Sequence, residues 1–426
     1  MTWVGVRLRR HHWVLVHRCA GLNLAFFLTV AGLTGTILAF DSWIYEWLNP
    51  DLSRVQVQDR PVLDGFTLRE RALAIEPRAR ANYVVLNLEP GRVAYYGLDP
   101  RIDPATGQPY NLGYTGLYLD PYTGAEVARE ADAGLWPITR RNLLSVVFAL
   151  HTSLACGEVG RWLFGLAAII WVLDSFVGFY LTLPPRRRRA ATRPWWWARW
   201  WPSWRFTWRG KAYPVNFNLH RASGLWAWAL LFALAASSVA FNLPEVYGPV
   251  MRTVFRMPDV KAGLPDLPTP TPDPAIGWRE AAAIGERLTA EQARLHGFKV
   301  RPAPGTMWFL YDPVKGIFSY PSHCDRDVGY HLVGSTVHFD GRTGEFRAIE
   351  FSSGHHAATT FTSWVSAIHT CTVGGVAMHV LVGLAGLVTA LLSITGVYLW
   401  WKKRSARRLS LRASAVAGPV SRRDSA

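Results

Sequence analysis

Four histidines stand where imidazole is costly and therefore informative. His17 and His220 open apolar stretches with nearly the same local sequence, VHRCAGL over 16–22 and LHRASGL over 219–225. His151 and His369 open returning apolar stretches, in ALHT over 149–152 and AIHT over 367–370. An imidazole carried into a membrane helix loses its water and needs a partner, and the chemistry it suits is coordination of a metal through a ring nitrogen. Taken singly, each reads as a helix-end histidine bonded to a carbonyl. Recurrence of all four in register favours ligation.

The elements that must position them are apolar and long. Ser366 to Trp401 contains no Lys, Arg, Asp or Glu and ends in Trp400 and Trp401 followed by Lys402, Lys403 and Arg404. It is expected as one transmembrane helix with an interfacial stop, carrying His369, Cys371 and His379. Trp13 to Phe40 lacks a small-residue cleavage site and is expected as a retained first helix. The chain then divides into an N-terminus and first helix over 1–40, a polar domain over 41–142, a second helix over 143–183 and a linker over 184–215. A third helix over 216–241, a second polar domain over 242–365, the fourth helix over 366–401 and a basic tail over 402–426, without fixed structure after Arg404, complete it. Within the second helix, GEVGR (157–161) is too polar for the middle of a bilayer, so that helix is expected to project beyond it.

A net charge of +16 suggests nucleic acid until its placement is considered. The basic residues gather at Arg7, Arg9 and Arg10, at Arg186 to Arg189 with Arg193, Arg199, Arg205, Arg209 and Lys211, and in the tail from Lys402 to Arg412. Each block abuts an apolar segment, the positive-inside pattern of cytoplasmic ends, so both termini are expected in the cytoplasm and no nucleic-acid partner is implied. Seven tryptophans between Trp195 and Trp208 lie among these arginines, which suits a segment in the headgroup region. The cysteines Cys19, Cys156, Cys324 and Cys371 show neither a CxxC pair nor metal spacing, and ordinary packing is the expected role even for Cys156 and Cys371.

The two halves repeat. After the returning histidines, Gly157, Gly165, Leu166, Gly178 and Tyr180 match Gly375, Gly383, Leu384, Gly396 and Tyr398, each 218 residues later, and DPYTG (120–124) matches DGRTG (340–344). Short β-type runs at 83–88 and 92–96 and a hairpin over 117–127 make the polar domains α+β. The fold class is therefore an integral membrane protein, mainly α, with four transmembrane helices in two parallel helix, outer-domain, helix repeats and two small α+β domains. Parallel repeats imply a pseudo-twofold axis along the membrane normal. About such an axis His17 faces His220 near the cytoplasmic side and His151 faces His369 near the outer side. That is the arrangement for bis-imidazole ligation of two haems at two depths.

His379 complicates the outer pair. Counted back from Trp400 along a continuous helix it lies about 32 Å from the cytoplasmic end, with His369 about 15 Å further out. Arg161 holds the equivalent place in the first half. Either His379 replaces His369 as a ligand, or His379 and Arg161 hold a haem propionate.

The HR-x-x-GL starts, the returning HT segments that end in TG-x-Y-x-WW, and the D-x-x-TG hairpins resemble the PepSY-associated transmembrane family, often called iron-regulated membrane proteins, over about Trp13 to Lys403. The resemblance implies four helices, two PepSY-like periplasmic domains and b-type haem on helix histidines, here His17, His220, His151 and His369. It also implies a bacterial inner-membrane enzyme that reduces a ferric siderophore. VLDSFVGFY (172–180) departs from the family by placing Asp174 in an apolar run, which opens a proton or quinone site at that position.

No glycine-rich dinucleotide fingerprint is present, so the donor is expected to be a quinol or a cytoplasmic reductase. The acceptor is Fe(III) in a chelate held between the outer domains, which reduction loosens. His323, His331, His338, His355 and His356 are candidates to line that site. The competing reading is a haem-free, membrane-anchored PepSY peptide-binding regulator or sensor, which colour alone distinguishes.

Overall fold

The computed structural model describes residues 9–132, 134–185, 195–257, 260, 263–303, 305–329 and 334–416. Arg7, Arg186 to Arg189, Arg193 and His331 lie outside them, as does the end of the tail. The chain divides into two units: a helical one drawn from residues 1–39, 148–243 and 380–426, and a mixed one drawn from 40–147 and 244–379. The helices used below are α1 (Arg10–Leu38), α2 (Asp41–Leu48), α3 (Gly65–Ile75), α4 (Leu143–Ser153) and α5 (Gly157–Thr182). They continue with α6 (Ala212–Trp226), α7 (Trp228–Asn242), α8 (Pro244–Phe255), α9 (Trp278–His296), α10 (Ala357–His369) and α11 (Gly375–Val416).

Three of these, α1, α5 and α11, are long and apolar enough to cross a membrane, and α6 with α7 makes a fourth crossing if the bent pair is one span. The protein is thus a multi-pass membrane protein. Small residues let the helices of this unit approach closely. A Cβ on Gly32 of α1 would stand 2.5 Å from the carbonyl oxygen of Gly386 on α11, and Thr36 donates to the Gly383 carbonyl at 3.0 Å. On α5, Gly165 leaves room for Leu243. Pro184 forces Leu183 into an extended conformation and so ends α5.

The first apolar stretch is the single helix expected, α1, and the other three depart from that form. Ser366 to Trp401 breaks after α10, because Cys371, Gly374 and Gly375 have φ of 56°, 75° and 56°, left-handed values that no α-helix accommodates. Residues 143–183 break in the same way at Leu154, Ala155 and Gly157, with φ of 52°, 56° and 56°. The count that placed His369 along one helix with His379 therefore fails. The third stretch bends by 68° at Ala227. The two tryptophans beside that bend are tied in different directions, Trp226 Nε1 donating to the Trp204 carbonyl and Trp228 Nε1 to the Ser175 carbonyl, each at 2.9 Å. The tail, expected without structure, continues α11 to Val416.

In the mixed unit, besides a two-residue pair at Ala79–Arg80 and Asp99–Pro100, the strands are β1 (Tyr83–Leu86), β2 (Ala94–Gly97), β3 (Tyr114–Leu119), β4 (Glu126–Ala131) and β5 (Val300–Arg301), followed by β6 (Met307–Asp312), β7 (Ile317–Cys324), β8 (Ser335–Asp340) and β9 (Phe346–Glu350). The antiparallel hairpin β3–β4 falls where expected and is flanked by β2. The larger sheet runs β9-β8-β7-β6-β1, with β5 on β7. Its last strand comes from the first polar segment, paired from Tyr83↔Leu310 to Leu86↔Met307. The two segments expected as separate domains therefore share one sheet, because Val84 alternates inward to join Phe309, Phe318, Val337 and Phe339 in a single core. Leu68 and Ala72 of α3 cover the other core with Tyr96, Leu117 and Leu119.

Both D-x-x-x-G turns are built alike. Asp120 Oδ1 accepts from the Tyr122 amide at 2.7 Å and Asp340 Oδ1 from the Arg342 amide at 2.8 Å, while Gly124 and Gly344 take φ of 70° and 72°. A third turn of this construction spans Asp312 to Gly316, with φ 65° at the glycine.

Candidate functional site

His17 and His220 meet in the helical unit with ring centroids 6.3 Å apart and planes at 66°. They come from α1 and α6, and each lies against a glycine of a neighbouring helix. A Cβ on Gly178 of α5 would be 3.3 Å from His17 Cε1, and one on Gly396 of α11 would be 3.4 Å from His220 Cε1. The same contact thus occurs twice, between residues that match in the sequence repeat. A Cβ at Gly178 would crowd its imidazole, and one at Gly396 would just reach van der Waals contact with its own.

The second shared feature of the rings is a tied Nδ1. His17 Nδ1 lies 3.0 and 2.9 Å from Asp174 Oδ1 and Oδ2, and Asp174 is 8 % exposed. His220 Nδ1 lies 2.9 Å from Thr395 Oγ1. That hydroxyl spends its proton on the Leu391 carbonyl at 2.7 Å, so it accepts from an Nδ1–H. In both rings the hydrogen bond on Nδ1 leaves Nε2 as the nitrogen able to ligate. The sequence singles out Asp174 as a departure without linking it to His17, and it misses Thr395. The clue to Thr395 is helical spacing: the residue matching Asp174 is Leu392, and Thr395 sits one turn further along the same helix.

His151, near the end of α4, is anchored in the same unit. Its Nδ1 lies 3.0 Å from Thr34 Oγ1 and 3.1 Å from the Ala31 carbonyl, and Gly35 of α1 passes so near that a Cβ there would be 3.0 Å from its Cε1. His369 is the last residue of α10 and belongs to the mixed unit. His379 is also assigned to the mixed unit, its ring 4.6 Å from that of Trp43 on α2 and 6.5 Å from that of Phe40. Arg161 belongs to the helical unit, where Glu158 accepts from it at 2.8 and 2.5 Å and the Asn242 carbonyl accepts from it as well.

The described histidines of the second polar segment do not gather into one site. His338 is 3 % exposed, within the sheet, beside Ser319 Oγ at 2.9 Å, so it cannot line a surface chelate site. His323 approaches the buried Asp327 at 3.4 Å. His355 instead adjoins His356 and His296, at 4.7 and 6.0 Å between rings. Among the described residues no group of three or more His, Cys, Asp or Glu has a metal-holding arrangement. Cys19, Cys156 and Cys324 are free thiols.

The linker tryptophans pack in a ladder, Trp200 against Trp196, Trp197 and Trp204 at 5.0–5.1 Å and Trp204 against Trp226 at 5.0 Å. Trp200 is 5 % exposed, whereas Trp195 and Trp208 are 74 % and 70 % exposed. The exposed members suit an interfacial position.

A bundle of apolar helices holding paired imidazoles, joined to an α/β unit, defines a membrane protein with a site between helices. The profile of the PepSY-associated TM region matches residues 14–403, and the chain belongs to that family. No curated protein matches the chain.

Proposed function

We propose that this protein is a haem-bearing reductase of the bacterial inner membrane that passes electrons outward to a periplasmic ferric siderophore and releases Fe(II). The observation that carries the reading is the His17–His220 pair. An imidazole nitrogen meets a metal at about 2 Å, so two rings that held one iron between them would have centroids roughly 6 Å apart. The 6.3 Å separation fits that requirement. Nε2 of each ring would ligate, while Asp174 and Thr395 hold the opposite nitrogens. Bound haem supplies one-electron chemistry, and the protein's part is to orient and tune it.

His151 and His369 would form the second, outer pair, each at the end of a short helix that stops at a break in the backbone. His151 arrives with its ring already fixed by Thr34 and the Ala31 carbonyl. His379 is the other candidate ligand there, and Arg161 the candidate for a propionate. Two parallel repeats with four crossings are supported by the doubled histidine–glycine contact, and two PepSY-like segments by the matched D-x-x-x-G turns. Arg9, Arg10, Arg199, Lys402 and Lys403 beside the helix ends favour cytoplasmic termini. The donor would be a quinol or a cytoplasmic reductase.

Purified protein should show a Soret band, with sharpened α and β bands when dithionite is added. A colourless, folded protein would refute the reductase and leave a peptide-binding regulator as the better account.

A further inference from the structure

Asp174 is the feature that the two halves do not share. A carboxylate in the apolar middle of a membrane helix costs about 2.5–3.5 kcal/mol on insertion scales, so its retention calls for a partner. That partner is His17 Nδ1, reached by both carboxylate oxygens at 2.9 and 3.0 Å. The matching place in the second half is Leu392, and His220 Nδ1 meets the neutral Thr395 hydroxyl instead. One imidazole of the pair is therefore bonded to the carboxyl group of an aspartate and the other to a hydroxyl.

The consequence follows from hydrogen-bond strength. A bond to a charged acceptor is roughly twice as strong as a neutral one, and it draws the Nδ1 proton away from the ring. Electron density moves toward Nε2, so the ring becomes a stronger donor to a metal. A stronger axial donor stabilises Fe(III) relative to Fe(II). We infer that Asp174 is a positioning residue that makes His17 the stronger of two unequal axial ligands and lowers the reduction potential of the iron they share. The inference rests on the haem reading above. It makes the cytoplasmic-side haem the better reductant, which favours passage of electrons away from it.

The test is a redox titration of the full-length protein in detergent, read haem by haem in the optical spectrum, together with the low-spin electron paramagnetic g values. In Asp174→Asn the Fe(II)/Fe(III) ratio of one haem at a fixed ambient potential should rise about tenfold, which is 59 mV for a one-electron couple. Its g values should shift while the other haem stays unchanged. Thr395→Val should move the same haem by less than about threefold, since it removes only a neutral acceptor. If Asp174→Asn instead loses that haem while Asp174→Glu keeps it with the native potential and g values, the carboxylate is required and the inference stands. Native potential and g values in a haem-replete Asp174→Asn protein would overturn it. So would loss of that haem in both variants, because the residue would then serve the fold and not the iron. A colourless wild-type protein would overturn the haem reading itself.

Discussion

Replacing Gly32 with alanine adds one methyl group where the backbones of α1 and α11 are in close contact. The new Cβ would sit 2.5 Å from the Gly386 oxygen, 3.1 Å from the Ala390 nitrogen and 3.3 Å from Thr389 Cβ. Two of these are backbone atoms, so no side-chain rotation relieves the clash. Restoring an ordinary contact of 3.4 Å requires the helices to part by about 0.9 Å. Overpacking on this scale costs about 1–3 kcal/mol. The Thr36 hydroxyl now donates across the same interface at 3.0 Å, and the separation would stretch that bond beyond use, at a further cost of about 0.6 kcal/mol.

The gain in helix propensity from glycine to alanine, about 1 kcal/mol, works the other way. Gly21 isolates that gain, because a Cβ there meets nothing within 4 Å on the same helix. Gly32→Ala should therefore be less stable than Gly21→Ala by about 2–4 kcal/mol, a factor of roughly thirty or more in the unfolding equilibrium. Detergent-exchange unfolding followed by far-ultraviolet circular dichroism measures the difference. If the two variants unfold together, the close α1–α11 contact does not exist in the folded protein, and the positions of Thr34 and Gly35 beside His151 lose their support.

Three further expectations are tied to separate parts of the molecule. His17→Ala and His220→Ala should each lose one and the same haem by pyridine haemochrome, and His151→Ala and His369→Ala the other; losses that pair within one half of the chain would refute the pairing across halves. Glu76, with Arg78 at 2.8 Å and Tyr114 at 2.9 Å, has its pKa held down to about 2 from 4.5 by those hydrogen bonds. The stabilisation is present above about pH 4.5 and is lost as the pH falls toward 2. Allowing for solvent screening at the half-exposed Arg78, it should amount to about 1–2 kcal/mol, and Glu76→Gln should flatten the acid limb of the mixed unit's unfolding profile. In sealed, oriented vesicles a ferric siderophore added on the periplasmic side should reoxidise the dithionite-reduced protein faster than one confined to the cytoplasmic side, and equal rates would defeat the outward direction.

Composition and periodicity make the long helices legible, because twenty or more apolar residues bounded by arginine and tryptophan leave few alternatives. The breaks inside them are less so. Gly157 and Gly375 match in the repeat and both take φ of 56°, but glycine inside an apolar run reads equally as a close helix contact, the role Gly32 and Gly386 play. Only the backbone separates the two uses. The shared sheet was illegible for a different reason. Tyr83 to Leu86 is a short apolar run with Val84 and Val85 buried in different cores, and nothing local states that its partner lies more than two hundred residues away in Met307 to Leu310.

The imidazole pair shows the same limit at the level of chemistry. Internal repetition brings His17 together with His220, because equivalent residues about a twofold axis share a depth. Repetition says nothing where the halves differ, and they differ at the atoms that decide what each ring can do. Asp174 lies 157 residues from His17, and Thr395 lies 175 from His220. Neither contact has a counterpart at the matching position of the other half, so no symmetry argument reaches them. A duplicated scaffold fixes where two imidazoles stand, and an unrepeated residue beside each ring decides what its Nδ1 is bonded to. Asp174 is therefore the position at which the two halves of this chain cease to be interchangeable.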